Sequence, residues 1–215
     1  MRAADARLRG LHVLADDGGW SWDPGALGEA ACAAGADVVQ LRAKRSGDRQ
    51  VLAWAAGLRA RTRACGALLI VNDRFDLALL AEADGVHLGQ EDVPPGALPE
   101  PARRALAVGR STHTLDEVRR AAAEPVDYIA FGPVFGTHSK EPPHPATGLA
   151  ALEAAVALAA PRPVVAIGGI GPENAAAVAA AGAGAAVISA VAGADDPEAA
   201  TRALAAQLAA GARRR

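Results

Sequence analysis

Short apolar runs recur along the chain, each followed by a polar, glycine-marked break and then by a longer segment with helical spacing. Leu11 to Ala15 is the first run; it ends at Asp16-Asp17-Gly18-Gly19, and Pro24 to Ala34 then reads as a helix stopped by Gly35. Asp37 to Leu41 is the second strand, leading through Arg42, Lys44 and Arg45 into a helix over Asp48 to Ala64. Ala67 to Val71, Gly85 to Leu88, Ala105 to Val108, Val126 to Phe131, Pro163 to Ile167 and Ala185 to Ile188 read as the remaining strands. Between them lie a helix ending near Glu82, a short one after Pro94-Pro95, and helices over Leu115 to Ala123, Leu149 to Ala159 and Asn174 to Ala181; Pro197 to Ala210 follows the last strand. Strict alternation with short connections predicts an α/β fold with a parallel sheet covered by helices. Eight repeats favour a closed eight-stranded (β/α)8 TIM barrel over an open doubly wound sheet. A chain of 215 residues suits one such domain spanning residues 1–215.

Composition narrows the function classes. The formal charge of -2 provides no global basic field for nucleic acid, so any anion site must be local. Three Phe, three Trp and one Tyr are too few to build a platform for stacked bases. Cys32 and Cys65 fall on predicted helices without metal-type spacing and are expected to be buried and reduced. No window approaches 18 uninterrupted apolar residues and Met1 to Gly10 lacks a signal-peptide pattern, so a soluble, cytoplasmic protein without a membrane span is expected. The terminal arginines read as a solvated helix end.

The candidate chemistry collects just after predicted strands. In a barrel all those ends open on one rim. Gln40 and Arg42 lie two apart on an extended segment and so share a face, which Lys44 continues if the strand geometry persists. Asn72 and Asp73 follow the third strand and Asp92 the fourth; alone, Asn72-Asp73 is more often a helix cap than a site, and Asp73 also reads as an ion pair with Arg74 or another arginine. Two carboxylates are the protein ligands that Mg²⁺ prefers when phosphate oxygens complete its shell. Ile129 to Lys140 runs from a strand into a glycine-marked loop carrying Thr137, Ser139 and Lys140, two hydroxyls and an ammonium suited to an anion. Gly168-Gly169 and Ile188-Ser189 follow the last two strands, where barrels bind phosphate through backbone N–H groups. Two anion sites on one rim imply two phosphorylated ligands, or one with phosphates at both ends.

Six ordered motifs resemble the thiamine phosphate synthases and their relatives the thiazole tautomerases over nearly the whole chain. They are Gln40-Leu41-Arg42-Ala43-Lys44, Val71-Asn72-Asp73-Arg74, Gly85 through Asp92, Ser111-Thr112-His113, Gly132-Pro133 through Lys140, and Ile167-Gly168-Gly169-Ile170. The resemblance implies a barrel enzyme that joins an aminopyrimidine methyl diphosphate to a thiazole phosphate with Mg²⁺, both substrates being small molecules. It further implies that Arg42, Lys44, Asn72, Ser111 and Lys140 hold the diphosphate and that Asp73 and Asp92 bind the metal. Gln40 would contact the pyrimidine and Thr137, Gly169, Ile188 and Ser189 the thiazole phosphate, with Ser139 in the same loop. In the tautomerases a histidine at the position of His113 moves a proton, so His113 is a candidate in either enzyme. Lys44, Lys140 and Gly89-Gln90-Glu91-Asp92 favour a synthase, because a tautomerase has no diphosphate to bind; a noncatalytic thiazole-phosphate-binding regulator is the third reading. The chain departs from the family pattern at the Pro-rich segment Glu141 to Ala146 and at His12, where an aromatic residue is more familiar.

Overall fold

Each strand buries both faces, one against the others inside the ring and one against the helices outside. The computed structural model describes residues 6–136 and 145–213. Its strands are β1 (Leu11–Asp16), β2 (Val38–Arg42), β3 (Leu68–Asn72), β4 (Gly85–Leu88), β5 (Ala107–Thr112), β6 (Tyr128–Phe131), β7 (Val164–Ile167) and β8 (Gly184–Val187). They pair in parallel in sequence order, and β8 returns to β1, closing the barrel. Helices α1 (Pro24–Ala33), α2 (Asp48–Cys65), α3 (Phe75–Leu80), α4 (Glu100–Ala105), α5 (Leu115–Ala123), α6 (Gly148–Ala159) and α7 (Ala175–Ala180) fill the connections. The one-turn α8 (Ser189–Ala192) follows β8 directly, and α9 (Pro197–Ala212) completes the outer layer.

Alternation along the strands sorts the core into two parts. Leu14, Val38, Ile70, Val165 and Ala186 pack inside the barrel, while Val13, Val39, Leu69 and Val187 face Leu27, Leu58 and Leu204 of the helices. Short Val, Ile, Leu and Ala runs buried on both sides are what a parallel sheet requires. No helix among the described residues is long and apolar enough to cross a membrane.

One device recurs at the lower end of the barrel. Asp37, Asp84 and Asp127 each stand immediately before an even strand, and each accepts a backbone N–H from the preceding odd strand. The donors are Leu11 at 2.8 Å, Leu69 at 2.8 Å and Val108 at 2.7 Å. Asp84 also receives the Arg59 guanidinium at 2.5 Å. Asp84→Ala would leave the Leu69 N–H without its acceptor in a buried strand, so urea unfolding should show a loss of about 1–3 kcal/mol. Steady-state kinetics should be unchanged, because this end lies opposite the site.

The structure corrects the sequence reading in three places. Ala105 ends α4 instead of opening a strand, and β5 continues through Gly109, Arg110 and Ser111 to Thr112. Glycine and arginine look like a break, but β6 supplies their ladder partners, and Arg110 turns outward so that Nη1 donates to the Gly89 carbonyl at 2.6 Å. Cys65, expected to be buried, is exposed at the end of α2; Cys32 is buried, and both thiols are free. Ile188 lies beyond β8, where it caps α8.

Candidate active site

At the C-terminal ends of the strands the barrel opens into a cavity of about 1120 Å³, large enough for two small ligands. Its electrostatics begin at β1. The buried Asp16 ion-pairs with Arg42 and accepts from Gly18 N at 2.8 Å and Trp20 Nε1 at 3.1 Å, so the guanidinium is held at the rim. Asp17 accepts the amides of Lys44, Arg45 and Ser46 at 2.8–2.9 Å and thereby shapes the loop that carries Lys44. Partial burial works to raise its carboxyl pKa, but these amides and the Ser46 hydroxyl outweigh burial and hold it below the ordinary carboxylate range. Both aspartates read as turn residues in the sequence; the signal that could have found them is two acids together at a strand end.

Gln40 and Arg42 do share the inward face of β2, at different depths. Arg42 lines the mouth, whereas Gln40 is buried in a pocket of about 20 Å³ beneath it, room for roughly one water. His12, His87, Tyr128 and Ser111 also line this floor, and Asn72 lines both levels. The unusual His12 is held by Nε2, which lies 3.2 Å from the Leu8 carbonyl, and its ring is 5.4 Å from that of Tyr128. Complete burial lowers its pKa to about 4 against the raising effect of that hydrogen bond, so it is a neutral structural group.

Asp73 has φ +63°, a left-handed conformation uncommon for a residue with a side chain and often found at functional sites. It is neither the cap of α3 nor a partner of Arg74, which instead pairs with Asp48 and Asp76. Its partners come from elsewhere: Lys44 Nζ forms an ion pair with it, and the Asp92 carboxyl lies within hydrogen-bond reach. Burial, then the proximity of Asp92, raises the Asp73 pKa against the opposing pull of Lys44. Asp92 is aimed by Gly89 N, which donates to its Oδ2 at 2.6 Å. No cluster of three or more metal-ligating side chains occurs among the described residues.

Ser111 Oγ lies 2.8 Å from His87 Nε2, and the Gln90 amide bonds the Ser111 carbonyl, tying β5 to the loop after β4. His113 also reaches the mouth, where Glu117 accepts from its backbone N at 2.6 Å and approaches its Nδ1 at 3.2 Å. Across the cavity, Gly168 and Gly169 have φ +99° and +64°. A Cβ on Gly169 would lie 2.4 Å from the Gly136 carbonyl oxygen, so glycine is required for this turn. Ser189 opens α8 at the same cavity, and the first N–H groups of a helix have no partners within it. The structure therefore gathers Arg42, Lys44, Asn72, Asp73, Asp92, Ser111, His113, Gly169 and Ser189 at one mouth. Thr137, Ser139 and Lys140 lie outside the described residues.

With this geometry in place, comparison with known proteins is specific. The family model described as thiamine monophosphate synthase matches residues 22–191. A thiamine-phosphate synthase of Anaeromyxobacter dehalogenans (strain 2CP-C) is 50% identical, the match covering 96% of this chain and 90% of that protein. Another, from Methanoculleus marisnigri (strain ATCC 35101 / DSM 1498 / JR1), is 48% identical over 86% of this chain and 87% of its own. The solved structure of thiamine phosphate pyrophosphorylase from Pyrococcus furiosus superposes with a TM-score of 0.85 at 35% identity, covering 96% of this chain and 99% of that one.

Proposed function

The chain belongs to the thiamine monophosphate synthase family, and from that premise we propose that its barrel mouth couples an aminopyrimidine methyl diphosphate to a thiazole phosphate. The activity is that of a thiamine-phosphate synthase, a transferase that releases diphosphate. The observation that carries the placement is the convergence of Arg42 and Lys44 with the Asp73–Asp92 pair on one side of the mouth, opposite the glycine turn at Gly169.

On this reading Arg42, Lys44, Asn72, Ser111 and Lys140 receive the diphosphate, and Gln40 at the floor receives the pyrimidine. The backbone around Gly169, Ile188 and Ser189, with Thr137, holds the thiazole phosphate, and Ser139 belongs to the same loop. Asp73 and Asp92 suit a small hard cation. Two carboxylates in mutual contact repel unless a proton or cation lies with them, and carboxylate oxygens suit Mg²⁺, which fills its shell with phosphate oxygens and water. When bound, Mg²⁺ would offset negative charge growing on the departing diphosphate.

The chain's own groups supply the remaining steps. Arg42, rigidly held by Asp16, and Lys44, on the loop shaped by Asp17, present cationic donors to the leaving oxygens. As the C–O bond breaks, the electron-rich aminopyrimidine stabilises the benzylic-type cation. The thiazole nitrogen, oriented through its phosphate, then donates its electron pair to that carbon. No side chain needs to act as a proton shuttle for this substitution. The enzyme belongs in the cytoplasm on the same reading.

The test is a coupling assay with both substrates and Mg²⁺. Diphosphate and thiamine phosphate should appear together in equal amounts and cease with EDTA, then recover when Mg²⁺ is restored. Aromatisation of a thiazole tautomer without coupling would instead assign the protein to the tautomerases, with His113 as the proton carrier.

A further inference from the structure

Beneath the mouth, three polar side chains form a continuous hydrogen-bonded line across the barrel floor. The Tyr128 phenol oxygen lies 2.8 Å from His87 Nδ1, and His87 Nε2 lies 2.8 Å from Ser111 Oγ, with Gln40 lining the same pocket. Tyr128 is only 1% exposed and His87 7%. The floor is built around the Tyr128 ring. Gly109 stands opposite it on β5, and a Cβ there would lie 2.1 Å from Tyr128 Cζ.

We propose that Tyr128 is a positioning residue that acts through the His87 tautomer to orient the Ser111 hydroxyl, making Ser111 a donor toward the departing diphosphate. The inference rests on the synthase reading above. A neutral imidazole has one N–H and one acceptor nitrogen, so the two ends of His87 cannot be chosen independently. Burial holds the Tyr128 phenol in its protonated form, so the line has a proton to donate at this point. The protonated phenol meets His87 Nδ1 at hydrogen-bond distance, and its acidic O–H is the better donor of the two. The phenol O–H is then directed at His87 Nδ1, and His87 carries its proton on Nε2. That N–H donates to Ser111 Oγ and occupies the hydroxyl's acceptor side, which turns the Ser111 O–H toward the cavity.

The opposite direction would be poor chemistry for an anion site. If Ser111 donated to His87, its remaining lone pairs would face the diphosphate oxygens and repel them.

The test combines ¹⁵N NMR of the His87 imidazole at fixed pH with kinetics. The substrate-free enzyme should show Nε2 protonated and Nδ1 bare. Tyr128→Phe keeps the ring but removes the O–H; the Nδ1 resonance should lose its hydrogen-bonded shift and the tautomers should mix. Turnover should fall about 10-fold, the scale of one hydrogen bond, while KM for the thiazole phosphate changes little. In a Ser111→Ala background, Tyr128→Phe should cost nothing more. If Tyr128→Phe does not fold, Ser111→Ala alone carries the spectroscopic arm, because Tyr128 should keep His87 protonated on Nε2 without the serine. Protonation on Nδ1 in the parent enzyme, or effects of the two substitutions that multiply, would overturn the proposal. Failure of the synthase reading would instead appear as absent coupling in the parent enzyme, with the tautomer measurement still able to decide the hydrogen-bond direction.

Discussion

Asp92→Asn is expected to reduce turnover by about 10²- to 10³-fold at saturating substrates, the scale of removing a preorganised electrostatic group from a reacting centre. The amide preserves the side chain's size, but it cannot supply the second anionic ligand proposed for Mg²⁺ beside Asp73. Titration of activity with Mg²⁺ should show a weaker metal requirement curve as well as a lower plateau. Stability of the metal-free protein should move the other way. Burial and the neighbouring Asp92 raise the Asp73 pKa above its unfolded value, so the folded state binds more protons than the unfolded state between those two values. The resulting penalty is absent below the unfolded pKa and develops as pH rises through the folded one. Metal-free parent protein should therefore lose stability from this pair on rising through the upper end of the carboxylate range, and Asp92→Asn should flatten the loss. Thermal melts with and without Mg²⁺, alongside the kinetics, measure both effects. A variant that kept parental turnover would remove Asp92 from the metal site.

Arg42→Ala is expected to damage both folding and chemistry, and the two can be separated. Asp16 is almost completely buried, and its Oδ2 receives the Arg42 guanidinium. Truncating Arg42 leaves a buried carboxylate with, among the described residues, only Gly18 N and Trp20 Nε1 as donors, so stability should fall by roughly 3 kcal/mol. Turnover should fall by roughly 10²-fold as the proposed cationic donor to the diphosphate is lost. Adding Asp16→Asn removes the stranded charge. Chemical denaturation of the double variant should recover most of the lost stability, whereas its turnover should stay low. Recovery of turnover along with stability would show that Arg42 acts only as a structural counter-ion.

The motifs of the rim were legible in the sequence because topology decides their placement. Once strands alternate with helices and lie parallel, every residue just after a strand is delivered to the same end of the barrel. Arg42, Asn72, Asp73, Asp92, Ser111 and Gly169 reach one cavity for that reason, although they span most of the chain. The partner of each was not legible. Asp73 has Arg74 as its sequence neighbour, yet pairs with Lys44, and Arg74 turns to Asp48 and Asp76. The left-handed backbone at Asp73 redirects its carboxylate, a change that residue type alone does not announce.

The sequence by itself determined the order and kind of the elements, their closure into a barrel and the chemical character of the mouth. Those properties follow from local periodicity, from glycine and proline at the breaks, and from the requirement that parallel strands be covered on both faces. Tertiary structure alone decided that Asp16 and Asp17 brace the cationic groups, that β5 runs through Gly109 and Arg110, and that Cys65 is exposed while Cys32 is buried. It also joined Tyr128, His87 and Ser111 into one hydrogen-bonded line from three different strands and set Gln40 beside them. Pattern assigns a side chain to the inside or outside of the ring, but depth and partner depend on how strands distant in sequence are staggered when the ring closes.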